Sequence, residues 1–154
     1  MSHEDNGATT AETASTLDLL RASTLSDFIF YEESARRVET TSASDDNNAP
    51  EIEASEFLSD DGSSARLRFR LTLQTSDAWF RSDVAAEYSF DGLRFGDSTP
   101  EIRRDFLERV AFMATYPHLR ASVFAAAGRL GVDRPVLSHV LLGEFHLERR
   151  DSLE

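Results

Sequence analysis

The chain has no cysteine and no lysine. Without thiols there can be no disulfide framework, no thiolate metal site and no cysteine nucleophile, which removes small secreted disulfide scaffolds from consideration. All 16 basic residues are therefore arginine, a bias that reads first as GC-rich coding and only second as a demand for bidentate donors. Long apolar runs are missing too. No window can span a bilayer, and the opening stretch MSHEDNGATTAETAST has neither the basic region nor the apolar core of a signal peptide. The expected location is the cytoplasm, without membrane insertion. Positive charge is outnumbered, 16 basic against 28 acidic residues for a net charge of -12, which repels nucleic acid at long range and argues against it as a partner.

Catalytic signatures are equally scarce. There is no Walker sequence, no GxGxxG, no GxSxG and no HExxH. Outside the first residues the histidines are His118, His139 and His146, with no metal-ligand spacing among them. Gly92 to Gly96 lacks the lysine of a phosphate loop and reads as a bend, and paired acids such as Glu32-Glu33 and Asp60-Asp61 read as solvated faces and turns. The sequence predicts no enzyme, no metal and no cofactor. A small enzyme with a polar pocket would need a buried Asp or His, and the assignable inward positions are nearly all apolar.

What is present fits one domain of 154 residues. Residues 1 to 15 form an acidic tail expected to be disordered, residues 16 to 148 the domain, and residues 149 to 154 a frayed end. Thr16 to Ala22 places Leu17 and Leu20 at helical spacing, with Leu25 as a third contact. Leu25 to Val38 favours a strand, with Phe28 and Phe30 on one face and Ile29 and Tyr31 on the other. After a polar loop, Glu51 to Leu58 reads as a second strand whose change of parity between Ala54 and Phe57 suggests a bulge. Asp60-Asp61-Gly62 is a turn. Arg66, Arg68, Arg70 and Thr72 then alternate with Leu67, Phe69, Leu71 and Leu73, one face wet and one buried, as in antiparallel sheets. This arginine row is expected to pair across strands with Asp83, Glu87 or the acids of the second strand. The fourth strand, Ala78 to Phe90, puts Val84, Ala86, Tyr88 and Phe90 on one face.

A helix should begin at Pro100, capped by Ser98 or Thr99, and run to the stop at Gly131, with a kink near Met113 to Pro117. In Val110 to Gly128 only His118 and Arg120 can carry charge. Val110 and Met113 mark one face, while Phe112, Tyr116, Leu119, Val123 and Ala127 mark another. Such a helix is buried from more than one side, and one small sheet covers only one of them. The predicted fold class is α+β: a four-stranded antiparallel sheet packed on a long kinked helix. Beyond it lies a Leu-rich segment from Val136 to Leu142, then a short alternating strand from Gly143 to Glu148.

Aromatics exceed what the core pattern uses. Trp79 and Phe80 are adjacent, so one of them points away from the core unless a bulge intervenes. Leu93 and Phe95 add apolar surface in a loop. A helix and a subunit partner could bury them all, or some could line an open groove for extended apolar peptide.

Four strands, a Gly-containing connection, a long helix of the form FxxRVAxMAxYPxLR and a Leu-rich C-terminal segment resemble the SecB-type export chaperones. The likeness is closer to the divergent SecB-like proteins of toxin-antitoxin-chaperone systems and phages. It rests most on FMATYPHLR (residues 112–120) and Leu130-Gly131-Val132, and spans roughly Leu25 to Leu147. The resemblance implies an ATP-independent holdase for unfolded or partly folded polypeptides. It also implies a homotetramer, built as a dimer of dimers with the long helices between sheets. By position it suggests Trp79, Phe80, Leu93, Phe95, Val136, Leu137, Leu141 and Leu142 as client-binding residues. Phe106, Val110, Met113, Tyr116, Leu119 and Val123 are suggested as the oligomer interface. It further implies a SecA-type motor or an antitoxin as a partner. The C-terminal part lacks the Pro-x-Asn-Phe-Asp word and second helix of the export factor, and His118 and Ala121 depart from the usual aromatic and acidic residues. The alternative is a dedicated module that binds one specific partner, such as an antitoxin.

Overall fold

The structure is a computed structural model that describes residues 14–39 and 49–137. A short helix, α1 (Thr16–Ala22), precedes four strands: β1 (Ser23–Arg37), β2 (Glu51–Leu58), β3 (Ser64–Gln74) and β4 (Ala78–Phe90). A 3-10 turn at Phe95–Asp97 leads into one uninterrupted helical run. It comprises α2 (Pro100–Phe106), a π turn (Leu107–Ala111) and α3 (Phe112–Leu130). The polar loop after β1, the tails, and the segment holding Leu141, Leu142 and the expected strand at 143–148 lie outside the described residues.

All ladders are antiparallel, in the order β1-β4-β3-β2. The hairpins β2-β3 and β3-β4 form a meander, and β1 closes beside β4, which is the strand order of a Greek key. Each β3 side chain alternates as its sequence predicts. Ala65, Leu67, Phe69, Leu71 and Leu73 are buried on the inner face, against the helices, while the arginines take the outer one. On β4 the inner row runs from Ala78 and Phe80 to Tyr88 and Phe90. Burial pushes the Tyr88 phenol up to about 12.

Thr99 caps α2 by accepting from the Ile102 N–H, with Pro100 in the first turn. At the far end Gly131 adopts the left-handed conformation that stops α3, at φ 67°. Pro117 sits inside α3 without ending it. The departure from α geometry falls earlier than Met113–Pro117, at the π turn, where Phe112 N–H bonds to Leu107 O. Phe106 and Ala111, like Leu107 and Phe112, are buried residues five apart. An α-helix would rotate such pairs off a common face, and the wider π turn brings them back onto it. Phe112, Tyr116, Leu119, Val123 and Ala127 share one face, as their spacing predicts, and that face meets the core. Phe112 meets Phe69 edge-on at 5.3 Å.

Two local expectations are overturned. In α1 the buried residue is Leu19, while Leu17, Leu20 and Leu25 stay exposed. A capping box between Ser15 and Asp18 sets the helix phase that turns Leu19 inward. In β2 there is no bulge. Pairing with β3 is continuous from Glu51↔Thr72 to Leu58↔Ala65, so Phe57 goes to the outer face opposite Arg66. Glu56 goes to the inner face, 3.6 Å from Arg103 of α2. Bulges occur in β1 instead, between Leu25 and Asp27 and between Phe30 and Glu32.

Candidate functional site

The outer face of the sheet is a ladder of charge and aromatic rings. Asp83, fully buried, accepts two bonds from Arg68 at 2.7 and 2.8 Å and one from Arg70 at 2.9 Å. Burial alone would raise its carboxyl, but hydrogen bonds from the two guanidiniums outweigh it and hold Asp83 below the usual carboxylate value. One row along, Arg66 donates to Glu87 at 2.9 and 3.2 Å. The predicted cross-strand pairing of the arginine row is thus made with β4 partners.

Aromatic side chains are set into this ladder. Tyr31 occupies the second bulge of β1. The Arg68 guanidinium lies 4.0 Å from its ring centroid, and its hydroxyl accepts from Arg66 at 3.1 Å. Trp79, half-buried, is flanked by Arg36 at 5.1 Å and Arg81 at 5.0 Å. Each ring meets a cation, an arrangement worth about 0.5–1 kcal/mol where exposed. Phe57, opposite Arg66, is 52 % exposed. A hollow of about 150 Å³ opens among Glu53, Ala54, Ser55, Arg68 and Arg70. That is well below the roughly 300–1,000 Å³ of small-molecule sites. Among the described residues no three His, Asp or Glu cluster to hold a metal ion, and no helix is long and apolar enough to cross a membrane.

The suggested client-binding residues do not form one surface. Trp79 lies on the outer face and Val136 is 92 % exposed, while Leu93 is partly buried against the core. Phe80, Phe95 and Leu137 are core residues, which corrects their assignment to a groove. Parity on β4 turns Phe80 inward beside Leu73, and Phe95 stacks on Phe90 at 5.1 Å in a cluster with Phe106. Leu141 and Leu142 lie outside the described residues. The suggested interface residues divide as well. Phe106, Tyr116, Leu119 and Val123 are consumed by the protomer's own core, because their face of the helix meets the sheet. Val110 and Met113 are only partly buried.

Sequence reasoning missed Phe57 as a surface aromatic, although it was legible from strict alternation through Ile52 and Ala54 without a bulge. Tyr31 stands where alternation set it, on the face opposite Phe28 and Phe30. Phe30 and His118 were also missed as neighbours. The Phe30 ring is 51 % exposed at the sheet edge, 5.9 Å from His118, which itself packs on Phe28 at 4.2 Å.

No family model matches the chain. It is 32 % identical over 153 residues to the SecB-like chaperone SmegB of Mycolicibacterium smegmatis, covering 98 % of this chain and 97 % of that protein. Its fold is similar to that of the Mycobacterium tuberculosis Rv1957 SecB-like chaperone, solved in complex with a ChAD peptide from the Rv1956 HigA1 antitoxin. The TM-score is 0.59 at 20 % identity, over 82 % of this chain and 94 % of that one. A Greek-key sheet backed by one long helix and near full-length similarity converge on one conclusion: the chain belongs to the SecB-like chaperones.

Proposed function

We propose that this chain is an ATP-independent holdase of the cytoplasm, without catalytic activity, and that an antitoxin is among its clients. The observation that carries this is the surplus of exposed large apolar side chains on a folded, strongly acidic protein. Phe30, Tyr31, Phe57, Leu58 and Val136 all remain at the surface, outside the core cluster. Such surface costs solubility unless it is used. Burying it in a complex, at about 25 cal/mol per Å² before entropy losses, gives broad and moderate affinity rather than sequence-specific recognition. The antitoxin assignment draws on the peptide bound to the Mycobacterium tuberculosis neighbour.

A homo-oligomer, arranged as a dimer of dimers, is supported by the helix. Its solvent side carries Ala114, Pro117, Ala121, Ala125 and Gly128, with Val110 and Met113 at its margin. Small uncharged residues let a second helix approach closely. A SecA-type motor is the less favoured partner. Glu32 pairs across from Asp83 on the outer face and Glu33 across from Ser82 on the inner one, so the two acids do not share a patch.

The test is suppression of light scattering from several unrelated, chemically unfolded clients without nucleotide. The holdase reading expects protection of all of them, together with an antitoxin. Protection of the antitoxin alone would instead establish a dedicated one-partner module.

A further inference from the structure

β2 is an edge strand, and its register fixes which backbone groups it offers. The Ser59 N–H bonds to Ser64 O at 3.0 Å just beyond the strand. Counting back in steps of two, Glu51, Glu53, Ser55 and Phe57 direct their N–H and C=O groups at β3. Those of Ile52, Ala54, Glu56 and Leu58 therefore point outward, and among the described residues no strand pairs with them. The two sheet edges differ. β1 is interrupted by two bulges, a common device against edge pairing, whereas β2 is regular from end to end and has no proline within it.

Charge marks what this edge admits. β2 carries three glutamates and no basic residue. Arg66, Arg68 and Arg70 of the neighbouring strand bond to Glu87 and Asp83 of β4. A second β2 would gather the glutamates of both strands with no basic residue among them, so self-pairing is disfavoured. On the inner side α3 crosses β4 and β1 and barely reaches β3, leaving Ile52 and Ala54 only partly buried. The edge thus has an acidic outer row at Glu51 and Glu53 and an apolar inner row at Ile52 and Ala54.

We propose that an extended client segment adds to the sheet as a fifth, antiparallel strand along β2, with basic side chains on the outer face and apolar ones on the inner. This rests on the reading of the chain as a polypeptide-binding chaperone, and it names the backbone contact by which that binding becomes independent of exact sequence. In antiparallel addition, the client residues that bond the outward groups of Ile52, Ala54 and Glu56 are those facing inward.

The probe is an alternating Lys–Val peptide of the length of β2, offered to the full chain unmodified, N-methylated at every Val, or N-methylated at every Lys. Methylation at Val should weaken binding about tenfold or more, since it removes every N–H that the peptide donates to the edge and sets a methyl group against it, while methylation at Lys should leave it nearly unchanged. A Glu–Val peptide should not bind. Ala54→Pro removes one outward N–H and no bond to β3, so it should weaken the Lys–Val peptide several-fold at unchanged thermal midpoint. Equal binding of the three Lys–Val peptides, or loss only on methylation at Lys, overturns the proposal whether or not Ala54→Pro folds. If the chain suppresses aggregation of unfolded clients yet binds all three alike, only the edge is wrong. If it neither suppresses aggregation nor binds the unmodified peptide, the chaperone reading has failed.

Discussion

The two faces of the sheet solve opposite problems with the same strands. On the inner face, Leu67, Phe69 and Leu71 meet Phe112 and its neighbours in a dry core. On the outer face, Arg66, Arg68 and Arg70 are held by Asp83 and Glu87, with Tyr31 and Trp79 laid against guanidiniums. Stability therefore resides mainly in the first face, and it should respond little to pH or salt. The second contributes less to stability and keeps aromatic surface exposed yet solvated, as a polypeptide-binding protein requires. Electrostatic change should alter the outer face and leave the fold standing.

The largest effect is expected from the inner face. Phe112→Ala opens a cavity beside Phe69 and should cost about 3–5 kcal/mol in denaturant unfolding. A loss below ~1 kcal/mol would mean that the helix is not seated on the sheet as described.

Asp83 comes next. Asp83→Ala strands Arg68 and Arg70, which are partly exposed and can turn to water, so the cost should be roughly 1–2 kcal/mol. The pH dependence has a definite sign. Because the folded-state value of Asp83 lies below the ordinary one, its stabilisation is complete above the unfolded-state value of ~3.9 and is lost as pH falls through the lower folded-state value. Acid titration of stability should show this loss in the native chain and lack it in Asp83→Asn. Identical acid profiles would remove Asp83 from the account of the outer face.

These two positions also show how far sequence carries. Alternation from Arg66 to Leu73 announced both faces of β3, and the Thr99-Pro100 start and Gly131 stop of the helix were legible from local chemistry. Phe80 was legible as core, since the alternation of Val84, Ala86, Tyr88 and Phe90 carries back to it along the same strand and leaves Trp79 as the outward ring. Phe95 was not, because it lies in a loop whose folding onto Phe90 and Phe106 is a tertiary matter. The division of the helix into a sheet-facing side and an open side was encoded in its spacing. Which side met the sheet required the sheet.

A smaller effect on folding, and a larger one on assembly, is expected from Met113→Glu. On the partly buried margin of the helix it should cost the fold about 1 kcal/mol or less while lowering the mass in solution. An unchanged mass would turn the search for the interface to other surfaces. The mildest change is Trp79→Ala. It removes an outer-face ring held by Arg36 and Arg81, so client holding should fall about twofold to fivefold with the thermal midpoint preserved, and undiminished holding would exclude Trp79 from the client surface.

The most direct measurement is mass in solution by light scattering during gel filtration, with and without a chemically unfolded client and without nucleotide. The account predicts a homo-oligomer that shifts to a stable, soluble complex when the client is added. A monomer whose mass and elution do not change while the client aggregates would contradict it.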